Sequence, residues 1–366
     1  MSSNKIRLLT GSGVDRSLWL DAWQACGREP FAHPDYAALF AAEGDDVRCA
    51  TLNSAAGVAI LPLVVRTIGD LEWSEATTLV DATSPYGYGG PYASSDIDLT
   101  DLWSGMLAWM AASGVVTSFV RMALDVAAPE QPPPGANVVS GGVNVVVNLR
   151  RSEDDQWRHY EHKVRKNVNK ANRAGLCVEL RASFTDLDEF VALYSATMDR
   201  RSASGWYYFG KDFFSALTTS LHGSYVAAEV RDDRGDLVSA ELVLQSDRYL
   251  YSFLGGTLSE AFPQAPNDLL KHAVINYGRA SGRSGYVLGG GYTADDGIMR
   301  YKRSFDPSGS VPFFRLEFVA NEEAYNGLVD RRLAFEYVKQ PDAQLPEGFW
   351  PRYRAPVISA PRPASQ

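Results

Sequence analysis

The 366-residue chain has little of what metal, disulfide and hydrolase sites are built from. Its three cysteines, Cys26, Cys49 and Cys177, are scattered without a Cys-x-x-Cys pair, so neither a disulfide framework nor a thiolate metal site is encoded. Its five histidines include no His-Glu-x-x-His run, and SGRSG is not a Gly-x-Ser-x-Gly elbow, which argues against zinc and serine hydrolases. No segment reaches the roughly 18 uninterrupted apolar residues of a membrane span. The opening MSSNKIRLLTGSG lacks the apolar run of a signal peptide, so the expectation is a soluble cytoplasmic protein. Positive charge is also in deficit, with 35 Lys and Arg against 44 Asp and Glu, a net charge of -9 that argues against wrapping DNA. No lysine occurs between Lys5 and Lys163.

What positive charge there is gathers in one place. From Arg158 to Arg173 stand six Lys or Arg, His159 and His162, and one acid, Glu161. The spacing predicts a single helix over 157–174, with Trp157, Tyr160, Val164, Val168 and Ala171 on its apolar face and Gly175 as its stop. Lys163, Lys166, Lys170 and Arg173 then form a separate stripe. Such a stripe is either a solvated helix face or a surface that meets phosphates.

The length predicts two domains. The first half reads as a strand (IRLLTG), helical segments around SLWLDAW and PDYAALFAAEG, apolar strands VRCATL, GVAILPLVV and TTLVDA, a helix LTDLWSGMLAWMAASG and a strand VTSFVRMAL. The Pro-rich DVAAPEQPPPGAN is a loop or joint. The second half repeats the order: strand VNVVVNL, the basic helix, strand CVELRA, and a helix capped by Thr185 with Asp188 three residues on. A further helix, KDFFSALTTSL, precedes three strands, SYVAAEV, LVSAELVLQ and RYLYSFLG, the first two joined by the turn DDRGD. Helix NDLLKHAVINYGRA, strand GYVLGG, a short helix near 296–302 and strand FFRLEFV close the pattern. The tail after Asp330 shows no periodicity and reads as surface drape.

Two helices, an antiparallel three-strand meander, then helix, strand, helix, strand is the order of the GNAT acyltransferase fold. Three stretches, RKNVNKANRAG, ATMDRRSASGWYYF and DDGIMRYKRSFDP, together resemble the Fem family of non-ribosomal peptidyl transferases. They occur in that family's order across Arg158–Phe318, and YGYGGPYASSD resembles its Gly-Pro segment in the first domain. The resemblance implies an α+β fold of two tandem GNAT-like domains, each a mixed, largely antiparallel sheet flanked by helices. The boundaries expected are 1–142 and 143–319, with about 320–366 packing back on the first. It implies transfer of an amino acid from aminoacyl-tRNA to an amine of a small peptide-like or nucleoside-like acceptor, with aminoacyl-tRNA as co-substrate and no other cofactor. The stripe Lys163, Lys166, Lys170 and Arg173, if not a solvated face, would then meet the acceptor stem of the tRNA. The family's first-domain phosphate-binding lysine has no match here.

Such a transfer needs a cation or donors for the tetrahedral oxyanion and a path for the amine's proton. Lys302, in YKRSF, is the candidate cation by resemblance; by spacing alone it is a surface helix residue. Arg200 follows Thr197 in the family's Thr-x-x-Arg pattern and, with adjacent Arg201, is a candidate for phosphate, which guanidinium grips in two-pronged fashion; a helix-terminal arginine serving the dipole is the alternative. The resemblance implies a base shortly after the Gly-Pro segment, where Asp96 and Asp98 are the candidates; acids in a loop otherwise read as solvated turn formers. Asp295 and Asp296, close to Lys302 in sequence, read equally as helix caps. Tyr88, Tyr92 and Tyr301 are candidate substrate contacts. GGGY at Gly289–Tyr292 lacks the phosphate-loop pattern and reads as a backbone turn beside the site. Two other functions compete: an acyl-CoA-dependent N-acyltransferase, and a non-catalytic module that binds peptide or glycan. The first needs backbone amides after RYLYSFLG to cradle a pyrophosphate, where GTLSEAFPQAPNDLL instead offers two prolines and Glu260.

Overall fold

The computed structural model describes residues 5–75, 77–124, 133–291 and 296–359; Asp295 and Tyr292 lie outside them. In chain order the elements are β1 (Lys5–Thr10), α1 (Gly13–Ala25), α2 (Pro34–Ala38), β2 (Asp46–Ser54), β3 (Gly57–Thr67), β4 (Val80–Thr83), β5 (Tyr92–Ala93), α3 (Thr100–Ala112) and β6 (Val115–Arg121). They continue with β7 (Ala136–Asn148), α4 (Glu153–His159), α5 (His162–Arg173), β8 (Cys177–Arg181), α6 (Leu187–Arg200), α7 (Lys211–Ser220), β9 (Tyr225–Arg231), β10 (Leu237–Gln245) and β11 (Tyr249–Thr257). Last come α8 (Pro266–Ala280), β12 (Gly285–Gly289), α9 (Gly297–Arg303), β13 (Ser310–Val319) and α10 (Glu322–Lys339). Among the described residues no helix is long and apolar enough to cross a membrane.

The chain folds as two compact units. The first comprises the chain up to Cys26, Phe40–Ser140 and the chain from Phe314; the second comprises Gly27–Leu39 and Gly141–Phe313. In the first unit the strands run β1-β2-β3-β4-β6-β13, antiparallel except for β4 against β6. One face buries Leu61, Leu63, Val120 and Phe318 against Met106 and Met110 of α3. The opposite face packs Ile68, Trp73 and Val116 against Leu328, Val329 and Tyr353. The tail is therefore not surface drape. α10 continues to Lys339, started by Asn321, whose side chain accepts from the Ala324 amide. Tyr353 is fully buried, its hydroxyl 2.8 Å from Thr117 Oγ1 and donating to Asp81 at 3.1 Å. Charged residues such as Arg332 and Glu336, paired four residues apart, dilute the helical periodicity that a sequence reading relies on.

In the second unit the order is β7-β12-β11-β10-β9-β8. β8 to β11 form the antiparallel meander, and β12 joins β11 in parallel after α8. β9 and β10 are buried along nearly their whole length, as central strands covered on both faces require. Within this unit Phe31 packs edge-on against Tyr251, whose hydroxyl donates to Glu29 at 2.7 Å, so 27–39 is sewn to β11.

Three sequence expectations change here. The helix over 157–174 is two helices, broken at Tyr160 and Glu161, which are extended and whose Glu161 amide donates to Ser304 O at 2.9 Å. Arg165 folds back onto the carbonyls of Trp157, Arg158 and Tyr160, satisfying the exposed end of α4. Gly175 does stop α5, at φ +73°, with the Leu176 amide donating to Ala171 O at 3.2 Å. α6 is capped by Asp186, not Thr185; Thr185 instead gives its amide and hydroxyl to the buried Glu229, a demand of the sheet that outweighs the local cap. The helix expected around PDYAALFAAEG ends at Ala38.

Candidate functional site

β11 and β12 are neighbours for only a short stretch. Their parallel register runs through Tyr249 opposite Gly285, Leu250 opposite Tyr286 and Tyr251 opposite Val287, and β11 then continues to Thr257 along β10. The parting strands open a cavity of about 660 Å³ lined by α5, α6, β10, β11, α8 and α9. Two glycines let the walls close in. A Cβ at Gly256 would lie 2.6 Å from Thr197 Oγ1, and one at Gly255 2.5 Å from Ala240 O, so α6 and β10 approach β11 more tightly than any other residue permits. Thr197 fixes the contact, donating to Leu193 O at 3.0 Å and accepting the Thr257 amide at 3.2 Å.

The lining is cationic in a chain that is acidic overall. Lys170, Arg200, Arg201, Lys271 and Lys302 face two carboxylates, Glu241 and Asp268. Glu241, Lys271, Ser252 and Tyr286 form one buried network. Lys271 Nζ donates to Glu241 Oε1 at 2.6 Å, Ser252 Oγ at 2.8 Å and Tyr286 Oη at 3.1 Å, and Tyr286 donates to Glu241 Oε2 at 2.7 Å. Burial, then the Glu241 charge, pushes the Tyr286 phenol well up.

Lys302 is half-buried and its Nζ donates to Gly290 O at 2.6 Å. Burial first, then the nearby Lys271 charge, lowers its pKa to about 8, against the opposing pull of Glu241 and Asp296. Its helix is fixed at both ends. Asp296 caps α9 through the Met299 amide at 2.6 Å. Just beyond the other end, fully buried Asp306 is gripped by Arg151, by His159 at 2.8 Å and by the Asn148 amide at 3.0 Å. The glycines before α9 serve approach, not phosphate: a Cβ at Gly291 would stand 2.6 Å from Asp296 Oδ1.

Arg200, at the end of α6, donates to Thr257 O at 3.0 Å and lies over the half-exposed Phe262 ring at 4.9 Å. Arg201 follows as the helix C-cap. Tyr301 is held by Asn267, whose amide donates to its hydroxyl at 2.8 Å. Of the basic stripe, Lys163, Lys166, Lys170 and Arg173 are all exposed, and Lys170 reaches the cavity lining. Lys302, Arg200, Arg201, Tyr301 and Lys170 are thus brought together.

The remaining candidates lie in the first unit. Asp96 is exposed in the loop before α3. Asp98 accepts the Thr100 amide at 2.8 Å and the Thr100 hydroxyl at 2.6 Å, which holds it below the usual carboxylate range. That direction is wrong for a group that takes a proton near neutral pH, and its geometry is that of a helix start. Tyr92 is buried and donates to Tyr88 O, so this pair braces its own loop.

Sequence reasoning passed over Asp268, Glu241 and Lys271. The signal was there: an acid within the apolar run LVSAELVLQ, and a lysine on the apolar face of NDLLKHAVINY beside Leu270, Val274 and Ile275. Asp268 is a carboxylate whose environment raises its pKa, to about 6, because burial outweighs the Asn167 amide that reaches it at 3.1 Å. Between the ordinary 3.8 and about 6 the folded protein holds the extra proton, so stability falls as pH rises through that window and stays lower above it. Asp268→Asn, which still accepts from Asn167, is expected to be more stable than the parent at pH 7.5 and equal to it below pH 4, read from urea midpoints across that range. Equal midpoints at pH 7.5 would show that the carboxylate is not strained by burial.

Among the described residues no cluster of His, Cys, Asp and Glu could hold a metal ion. Residues 158–303 match the family described as acetyltransferase (GNAT) domain. No curated protein matches the sequence. Among solved structures, FemX has a TM-score of 0.61 at 13% identity, over 76% of this chain and 89% of that one. L-PGS from Bacillus licheniformis has a TM-score of 0.56 at 12% identity, over 86% and 94%. The C-terminal domain of a putative lysylphosphatidylglycerol synthetase from Agrobacterium fabrum has a TM-score of 0.54 at 13% identity, over 88% and 96%. At such identities the likeness is one of fold. The chain is α+β, with two GNAT-like units in a Fem-like architecture, the second of which contains a GNAT acyltransferase domain.

Proposed function

We propose that the protein is an aminoacyltransferase that moves an amino acid from aminoacyl-tRNA to an amine of a small peptide-like or nucleoside-like acceptor. The acceptor nitrogen attacks the ester carbonyl, the C–N bond forms, the bond to the ribose oxygen breaks, and the proton lost by nitrogen goes to that oxygen. The carrying observation is Lys302, a cation with its pKa lowered toward neutrality, inside a cavity whose rim joins the basic stripe at Lys170. Lys302 neutralises the developing oxyanion; Asp268, with its raised pKa, is the carboxylate suited to take the amine's proton. Arg200, already braced on β11, offers a guanidinium for phosphate. One fold neighbour is named for lysylphosphatidylglycerol, a molecule that carries an aminoacyl group.

The start of α8 weighs against acyl-CoA as donor. Its first residue is Pro266, which has no amide proton, and Asp268 already occupies the first turn where a pyrophosphate would seek amides. Purified protein is expected to transfer radiolabel from a pool of charged tRNAs to an amine acceptor and to lose that transfer on RNase treatment. RNase-resistant transfer that needs acyl-CoA would replace this reading with the CoA-dependent one, and absence of turnover with either donor would leave a binding module.

A further inference from the structure

A second cavity lies wholly in the first unit, away from the acyltransferase domain sequence. It measures about 480 Å³, and five arginines line it: Arg66, Arg121, Arg315, Arg332 and Arg354. None of its described lining residues is acidic. Three carboxylates behind the wall hold four of the five. Asp81, fully buried, takes Arg66 at 2.6 Å and Arg354 at 2.5 Å; Glu317 takes Arg315 at 3.1 Å; Glu336 takes Arg332 at 3.0 Å. Arg121 donates to Ser84 O at 3.3 Å.

The arrangement places like charges where a sheet ordinarily avoids them. Arg121 of β6 and Arg315 of β13 are direct cross-strand partners, a register at which two cations repel. Both guanidiniums converge on one ring, at 4.7 Å and 5.9 Å from the Phe119 centroid, which offsets part of that repulsion and fans the two groups around the cavity. Guanidiniums held by carboxylates from behind are oriented in advance, so little rotamer freedom remains to be lost when an anion arrives. The volume is that of a small-molecule site.

We infer that this cavity is a binding site for a small phosphate-bearing anion, a phosphomonoester or diphosphate, recognised by Arg121 and Arg315 and backed by Arg66, Arg332 and Arg354. The inference is independent of the chemistry at Lys302. It commits to the phosphate group; free pyrophosphate and a nucleoside diphosphate are its two sources, and a titration separates them.

Calorimetric titration of the full chain at low salt with inorganic pyrophosphate, with adenosine diphosphate and with adenosine is the test. Pyrophosphate or the diphosphate is expected to bind, adenosine not, and Arg121→Gln or Arg315→Gln to weaken binding at least tenfold. Tighter binding of the nucleotide than of pyrophosphate identifies an organic ligand, and equal binding identifies the phosphate alone. Arg121→Lys keeps the charge without the fork and is expected to fall between parent and Arg121→Gln. Because Arg121→Gln removes a like-charge contact, its melting temperature without ligand is expected to match or exceed the parent's, which separates lost binding from lost folding. Absence of binding by either phosphate, binding unchanged in both variants, or binding lost in Arg200→Gln but not in Arg121→Gln would each overturn the inference.

Discussion

Lys302→Met is expected to lower kcat for aminoacyl transfer by about 10²–10³-fold, the effect of removing one preorganised oxyanion partner, with KM little changed. The side chain lies inside the cavity instead of trailing in bulk water, and in the resting protein its ammonium donates to the Gly290 carbonyl at 2.6 Å. Methionine keeps the stem and its packing, so a rate loss at constant melting temperature isolates the charge. A pKa of about 8 gives a second signature. As a cation, Lys302 supports turnover below about pH 8 and ceases to do so as the proton leaves, so the parent's kcat falls on the alkaline side. Lys302→Arg stays charged throughout and is expected to keep measurable activity while losing that alkaline limb. If Lys302→Met turned over within about threefold of the parent, or if Lys302→Arg retained the limb, the oxyanion role would be gone.

Much of this architecture is written locally. The apolar run of β10, the turn chemistry before it, the glycine after α5 and the spacing of α8 each state their element within a dozen residues, and so the order of the second unit is legible. What escapes is set by partners far along the chain. The 3- and 4-residue apolar spacing runs unbroken through Tyr160, yet the helix breaks there because Ser304, in a distant segment, takes the Glu161 amide. Thr185 has the residue type of a cap, but Glu229 claims it from β9. α10 is pinned by Tyr353 and its neighbours, whose burial no local pattern announces. The same distinction divides the site. Lys302 and Arg200 sit in short motifs, so a sequence reading can single them out as candidates, and both line the cavity. Glu241, Lys271 and Asp268 act through burial and through one another, across Ser252 and Tyr286, so only their anomaly within apolar runs marks them in advance.

That buried network carries the largest stability effect expected in the second unit. Lys271→Met leaves Glu241, less than a tenth exposed, without its counter-charge, and breaking such a pair costs about 3–5 kcal/mol. The urea midpoint of the second unit is expected to fall accordingly. Glu241→Gln strands the lysine in the same way. The double variant Lys271→Met, Glu241→Gln removes both charges while Ser252 and Tyr286 retain an amide partner, so it is expected to recover most of the loss. Function responds differently. Lys271 is the largest of the charge influences on Lys302 and holds its pKa down, while Glu241 and then Asp296 oppose it. With both gone the Lys302 pKa is expected to rise, moving the alkaline limb of kcat upward even though the fold is restored. A double variant as unstable as Lys271→Met alone would mean that the network does not behave as an isolated ion pair. Recovered stability with the alkaline limb unmoved would mean that the pair is structural only, and that burial with the remaining charges, Asp296 and Arg201, sets the proton affinity of Lys302.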